Sequence, residues 1–267
     1  MPTIAANGID IYYEIHGEGP RLLFCNGSGA TLEQTGFMLT PYAERFEVLA
    51  FDQRGLGRTS IPADPYEMAD YAADAAALLD AVGWKSCRVT GTSFGGMVAQ
   101  EFAVTFPERV ERLVLACTSP GGDFASYPLH QLAEMPPEEA AVLGPELLDT
   151  RFTPEWLAEH DDGRALAEMV GNFRGAPKTD DARRGELAQL DARSRLDVLD
   201  RLDRVTCPTL VASGRYDGIA PPRNGEEIAA RIPGAELRLY EGGHLFMVQD
   251  PAAMPDMLGF LEGGLAR

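Results

Sequence analysis

Short apolar runs alternate along the chain with longer stretches whose apolar residues recur every three or four positions. Ile9–Ile15 alternates apolar and polar residues and is expected to form an edge strand. Leu22–Cys25, Val48–Phe51, Cys87–Thr90, Leu113–Cys117, Leu210–Ser213 and Glu236–Tyr240 follow. Most of these lack alternation, the pattern of strands buried on both faces of a parallel sheet. Met68–Val82 sets Tyr71, Ala75, Leu78, Leu79 and Val82 at helical spacing and stops at Gly83. Gly96–Thr105 is helical up to the Phe106-Pro107 break, and Gly225–Arg231 and Ala252–Leu261 read as the last two helices. Strand–helix alternation predicts an α/β fold, with a parallel sheet covered by helices on both faces.

Residues 121–205 break the rhythm. They hold no convincing strand but several helix-like pieces: Pro145–Asp149, Pro154–His160, Gly163–Val170 and Gly185–Leu190. A segment this long is not an ordinary loop. It is expected to be a helical lid, or cap, between two parts of one core, residues 1–120 and 206–267. Phe152, Trp156, Met169 and Phe173 are its candidate substrate contacts. The same residues, with Met135, Leu143 and Leu148, could instead pack the lid onto the core.

Composition narrows the partners. The chain has 267 residues, 45% of them hydrophobic and 24% charged, as in ordinary globular proteins. No run reaches the roughly 18 apolar residues that would cross a bilayer. The first residues show no basic region followed by an apolar run, so no secretory signal is expected. A net charge of −18 repels phosphate backbones and anionic lipid, which argues against nucleic-acid or membrane partners. Cys25, Cys87, Cys117 and Cys207 form no C-x-x-C pair and sit in or beside apolar runs, as buried reduced thiols of a cytoplasmic protein would. No Cys or His pair has zinc-site spacing, so no metal is expected.

The strongest chemical signal is Gly91-x-Ser93-x-Gly95, between an apolar strand and a helical run. A nucleophilic serine needs a tight, strained turn that lifts its hydroxyl above the sheet, and bulk at either glycine would collide with backbone. The helix that follows aims its N-terminus at the reacting centre, where its dipole favours a developing oxyanion. A serine also needs a base. Of His16, His130, His160 and His244, only His244 follows the last strand, in a Gly242-Gly243 loop able to present an imidazole. His16 reads as a surface turn residue, and the other two fall in the expected lid. Asp217, directly after Leu210–Ser213, is the preferred orienting acid, with Asp123 as its rival.

These motifs resemble those of the α/β-hydrolase superfamily over essentially the whole chain. They are the serine elbow, the Asp217 and His244 loops, Asn26-Gly27-Ser28-Gly29 after a strand, and Asp52-Gln53-Arg54-Gly55-x-Gly57-x-x-Ser60. The resemblance implies a mostly parallel sheet flanked by helices, a helical lid after the sixth strand, no cofactor, and a catalytic triad of Ser93, Asp217 and His244. The superfamily's His-Gly after the third strand is Asn26-Gly27 here, similar to the Asn-containing loop of 3-oxoadipate enol-lactonases. That mapping implies an oxyanion hole from the Phe94 amide and the Ser28 amide, with Gly29 as the alternative. Asp52 and Arg54 resemble a loop-organising turn. The implied activity is hydrolysis of a small carboxylic ester or lactone. Carbon–carbon bond hydrolysis, cofactor-free haloperoxidase-like chemistry and a non-catalytic ligand-binding role are the alternatives. Oligomeric state stays open. An anionic lactone would need local arginines such as Arg174, Arg183 or Arg184 to offset the acidic chain.

Overall fold

A computed structural model of the protein describes residues 2–174 and 178–264. Eight strands form one sheet: β1 (Thr3–Ala6), β2 (Ile9–His16), β3 (Arg21–Cys25), β4 (Glu47–Phe51), β5 (Cys87–Thr92), β6 (Val110–Ala116), β7 (Thr209–Gly214) and β8 (Glu236–Tyr240). Their spatial order is β1-β2-β4-β3-β5-β6-β7-β8. β2 runs antiparallel to both β1 and β4, and all other neighbours are parallel. The sheet is thus the mostly parallel one expected. The edge differs: β1 lies outside β2, so Ile9–Ile15 is an inner strand. Asn7 (φ 49°) and Gly8 (φ 76°) make the left-handed two-residue turn between them, with Ala6 paired to Ile9.

Alternate residues of the central strands enter two separate cores, which is why their sequences read as unbroken apolar runs. Leu23, Leu49, Val89, Leu113 and Val211 pack on one side with α3 (Met68–Ala81) and α4 (Phe94–Thr105). Leu22, Val48, Val114, Leu210 and Ala212 pack on the other with Tyr42, Phe246, Met257 and Leu261. All four cysteines are free and buried. Burial pushes the Cys87 thiol up to about 12 and holds those of Cys25, Cys117 and Cys207 above their ordinary value. Ellman's reagent at mildly alkaline pH is therefore expected to find all four unreactive in the native protein and reactive in guanidinium. Rapid native labelling would contradict this burial.

Between β6 and β7 the described residues form the helices α5 (Leu129–Glu134), α6 (Pro137–Leu148), α7 (Pro154–Glu159), α8 (Asp161–Arg174) and α9 (Asp180–Ser194). A single bridge from Gly121 to Asp197 draws the two ends of this segment together. The end of α6 is bonded to the loops after β7 and β8. The Leu147 carbonyl accepts the Gly218 amide at 3.1 Å, and the Leu148 carbonyl accepts the His244 amide at 2.6 Å. Asp149 extends the contact, accepting from Gln249 Nε2 at 2.9 Å while Gln249 Oε1 accepts the Gly243 amide at 2.9 Å.

Candidate active site

The strand order turns at β3: the chain steps from β3 outward to β4, then crosses back to β5. In open α/β sheets ligands bind beyond the strand ends at such a point. The end of β3 supplies the loop Asn26–Gly29, and the end of β5 supplies Ser93. Ser93 has φ 56° and ψ −116°, a strained conformation for a residue with a side chain. Its amide donates to the Ala116 carbonyl at 2.8 Å, and Thr118 Oγ1 donates to its carbonyl at 2.8 Å. The flanking glycines answer a close approach. A Cβ on Gly91 would lie 2.2 Å from the Gly95 carbonyl oxygen, and one on Gly95 2.0 Å from that of Cys25.

The elbow, the loop after β7 and the loop after β8 bring Ser93, Asp217 and His244 into one hydrogen-bonded chain. His244 Nε2 lies 3.0 Å from Ser93 Oγ, and Nδ1 lies 2.8 Å from Asp217 Oδ2. A carboxylate oxygen only accepts, so Nδ1 carries the proton and Nε2 is left to accept one from serine. The other Asp217 oxygen accepts the amides of Ile219 and Ala220, each at 2.8 Å. The Cys117 thiol senses this carboxylate, which adds to burial in raising it. All three side chains are buried. Asp123, the rival acid, is exposed in the turn between β6 and α5. His16 ends β2 with its ring on Glu14, His130 is half-buried on α5, and His160 stacks on Trp156.

A carbonyl carbon attacked by Ser93 would need donors for its oxygen. Gly27 is close enough that a Cβ there would lie 3.8 Å from Ser93 Cβ, so the Asn26–Gly29 loop borders Ser93. The Gly29 amide is engaged, donating to Gln189 Oε1 of α9 at 2.7 Å. Among the described residues no acceptor occupies the Ser28 or Phe94 amide. Asn26 shapes the loop: Oδ1 accepts the Gly27 amide, and Gln53 Nε2 donates to its carbonyl at 2.6 Å. Asp52 accepts the amides of Leu32 and Arg58, and Arg54 grips Asp74 through two 2.8 Å bonds. Both hold loops rather than face Ser93. Burial raises Asp52 above the ordinary carboxylate range despite its two amide partners.

A cavity of about 280 Å³ lies between the segment after β6 and helix α9, lined in part by Ser119, Tyr127, His130, Leu190 and Arg193. Among the described residues, neither Phe152 nor Trp156 is on its wall. Phe152 is buried against Trp156, with ring centroids 5.1 Å apart, and Trp156 stacks in turn on His160. Met169 is exposed, and the side chain of Phe173 lies outside the described residues. Arg193 carried no distinguishing signal in the sequence, because it sits in a run of charged residues typical of a solvated helix face.

A serine–imidazole–carboxylate chain over the turning point of a mostly parallel sheet is the architecture of an α/β hydrolase. Comparison with known proteins agrees: a family described as "alpha/beta hydrolase fold" matches residues 20–251, and the chain belongs to that family. It is 28% identical to a protein of Azorhizobium caulinodans that carries the name carbamate hydrolase, over 97% of each chain. It is 31% identical to a poly(3-hydroxyalkanoate) depolymerase of Ectopseudomonas oleovorans, over 90% of this chain and 84% of that one. It is 26% identical to a 3-oxoadipate enol-lactonase of Acinetobacter baylyi, over 94% of this chain and 92% of that one. No helix among the described residues is long and apolar enough to cross a membrane.

Proposed function

We propose that the chain hydrolyses small carboxylic esters or lactones, with Ser93 as nucleophile, His244 as general base and Asp217 as its orienting acid. The observation that carries this reading is the unbroken chain from Ser93 Oγ to His244 and on to Asp217, at 3.0 and 2.8 Å. His244 Nε2 takes the hydroxyl proton as Ser93 Oγ bonds to the carbonyl carbon. The amides of Phe94 and Ser28 receive the oxyanion, and the second assignment is favoured because Gln189 already holds Gly29. Each such donor is worth roughly 3–4 kcal/mol of barrier. The tetrahedral adduct collapses, the carbon–oxygen bond to the leaving group breaks, and His244 returns its proton to the departing oxygen. Water, deprotonated by the same imidazole, then releases the acyl group as a carboxylic acid and restores Ser93. The helices between β6 and β7 act as the lid, and the four buried thiols suit a reducing cytoplasm.

Ester and lactone substrates are favoured by the names of two relatives, a polyester depolymerase and an enol-lactonase. The carbamate name of a third puts carbamates in the same test. A fluorophosphonate is expected to label the native chain once, at Ser93, and to block turnover of a panel of short esters, lactones and carbamates. Turnover of carbamates alone would replace the ester assignment. Absence of labelling in the folded chain would favour a non-catalytic ligand-binding protein.

A further inference from the structure

We infer that Asp149, a buried carboxylate outside the Ser93–His244–Asp217 chain, is a positioning residue that sets the imidazole of His244 by way of Gln249. This rests on the hydrolase reading and adds to it the side chains that keep the base in place.

The backbone contact comes first. The segment that leaves α6 lies flush on the loop after β8. A Cβ on Gly243 would fall 2.0 Å from the Leu148 carbonyl oxygen and 2.6 Å from Asp149 Cα, so glycine is required there by the close approach. The same segment holds the loop after β7. The Thr150 amide donates to the carbonyl of Tyr216, one residue before Asp217, at 2.8 Å. The Tyr216 amide donates in turn to the Gly242 carbonyl at 3.0 Å. Three stretches, 147–151, 214–218 and 242–244, are therefore bonded pairwise.

Side-chain chemistry singles out Asp149 within this contact. It is 1% exposed. Its Oδ1 accepts the Arg151 amide at 3.0 Å and Arg151 Nε at 2.9 Å. Its Oδ2 accepts Arg151 Nη2 at 2.6 Å and Gln249 Nε2 at 2.9 Å. All four partners are donors, and an ionised carboxylate is the group that only accepts. Arg151 supplies the countercharge that such burial demands, and its guanidinium lies over the Tyr216 ring, 4.0 Å from the centroid. Gln249 closes the short helix Phe246–Gln249 and faces two opposite needs. Asp149 needs a donor, and the buried Gly243 amide needs an acceptor, which Oε1 provides at 2.9 Å. A side-chain amide offers both. The order is thus Arg151, Asp149, Gln249, Gly243, with His244 next along the chain. If this brace is cut, the Gly243 amide is left without its acceptor and the loop must shift to find another. A shift of about 1 Å at a catalytic group can cost about 10²-fold in rate.

Kinetics and spectroscopy test this together. In Asp149→Asn, kcat on a 4-nitrophenyl ester should fall roughly ten- to hundredfold with KM near the parental value. Gln249→Leu, at a partly exposed position, should do the same, and the double variant should lose no more than the worse single one. In proton NMR the low-field resonance of His244 Nδ1–H, identified by its loss in His244→Gln, should shift or broaden in both single variants. Glu101→Gln is the control. That carboxylate is also buried and gripped twice by an arginine, Arg201, but it joins α4 to the turn Leu199–Arg204. The control should lower the melting temperature and leave kcat and the resonance unchanged. Parental kcat and an unmoved resonance in Asp149→Asn and Gln249→Leu overturn the inference. So do additive losses in the double variant, a fall in kcat without a change in the resonance, or an equal response from Glu101→Gln. If no ester turns over in the parent while the resonance still responds, the hydrolase reading fails and the positioning role of Asp149 stands.

Discussion

Ser93→Ala is expected to lower kcat on a 4-nitrophenyl ester by about 10⁵- to 10⁶-fold, or ~7–8 kcal/mol of barrier. The fold should be unaffected. The hydroxyl's hydrogen bond is to His244 Nε2, whereas the strained backbone is held by the Ala116 carbonyl and the Thr118 hydroxyl, both of which remain. Asp217→Asn should cost less, about 10⁴-fold, because an amide in place of the carboxylate favours the tautomer that cannot accept the serine proton. Steady-state rates beside matching circular dichroism spectra check both. A Ser93→Ala chain with the parental rate would rule out the nucleophile assignment.

Gly95→Ala is expected to destabilise the fold by at least about 3 kcal/mol. The added methyl would fall 2.0 Å from the Cys25 carbonyl oxygen and 2.6 Å from that of Asn26. Both are backbone atoms at the end of β3, so α4 or the Asn26–Gly29 loop would have to move. Gly259→Ala is the control: it lies inside the helix Ala253–Glu262 with no atom within 4 Å of an added Cβ. There the change should be neutral or stabilising by about 1 kcal/mol. Urea midpoints of the two variants measure the contrast. Equal midpoints would mean that the elbow and the loop do not approach as closely as described.

Seven strands were readable because β3 to β7 are apolar runs buried on both faces, while β2 and β8 keep enough apolar residues to mark them. β1 escaped notice because it has four residues and is half-exposed, although Asn7-Gly8 is a recognisable hairpin turn. The helices between β6 and β7 were blurred by Pro145. A helix beginning at that proline was expected, yet α6 starts at Pro137 and continues through it. Packing of Leu147 and Leu148 against Ile219 offsets the lost backbone bond. The Ser93, Asp217 and His244 positions were legible because each follows directly from a strand end. The cavity was not. The buried stripe of α9 runs through Gly185, Gln189, Ala192 and Arg193, and its polar members disguise it as a solvent face.

Under the proposed function, the grip of α6 on the two loops would tie substrate entry to chemical readiness. The carbonyls of Leu147 and Leu148 hold the backbone beside Asp217 and at His244 itself, so raising that end would loosen the imidazole. A doorway is therefore expected on the far side of the helical cover, with the α6 end serving as a fixed hinge post. Shortening the chain across α6 is expected to free His244 from the Leu148 carbonyl and so to lower the proposed activity.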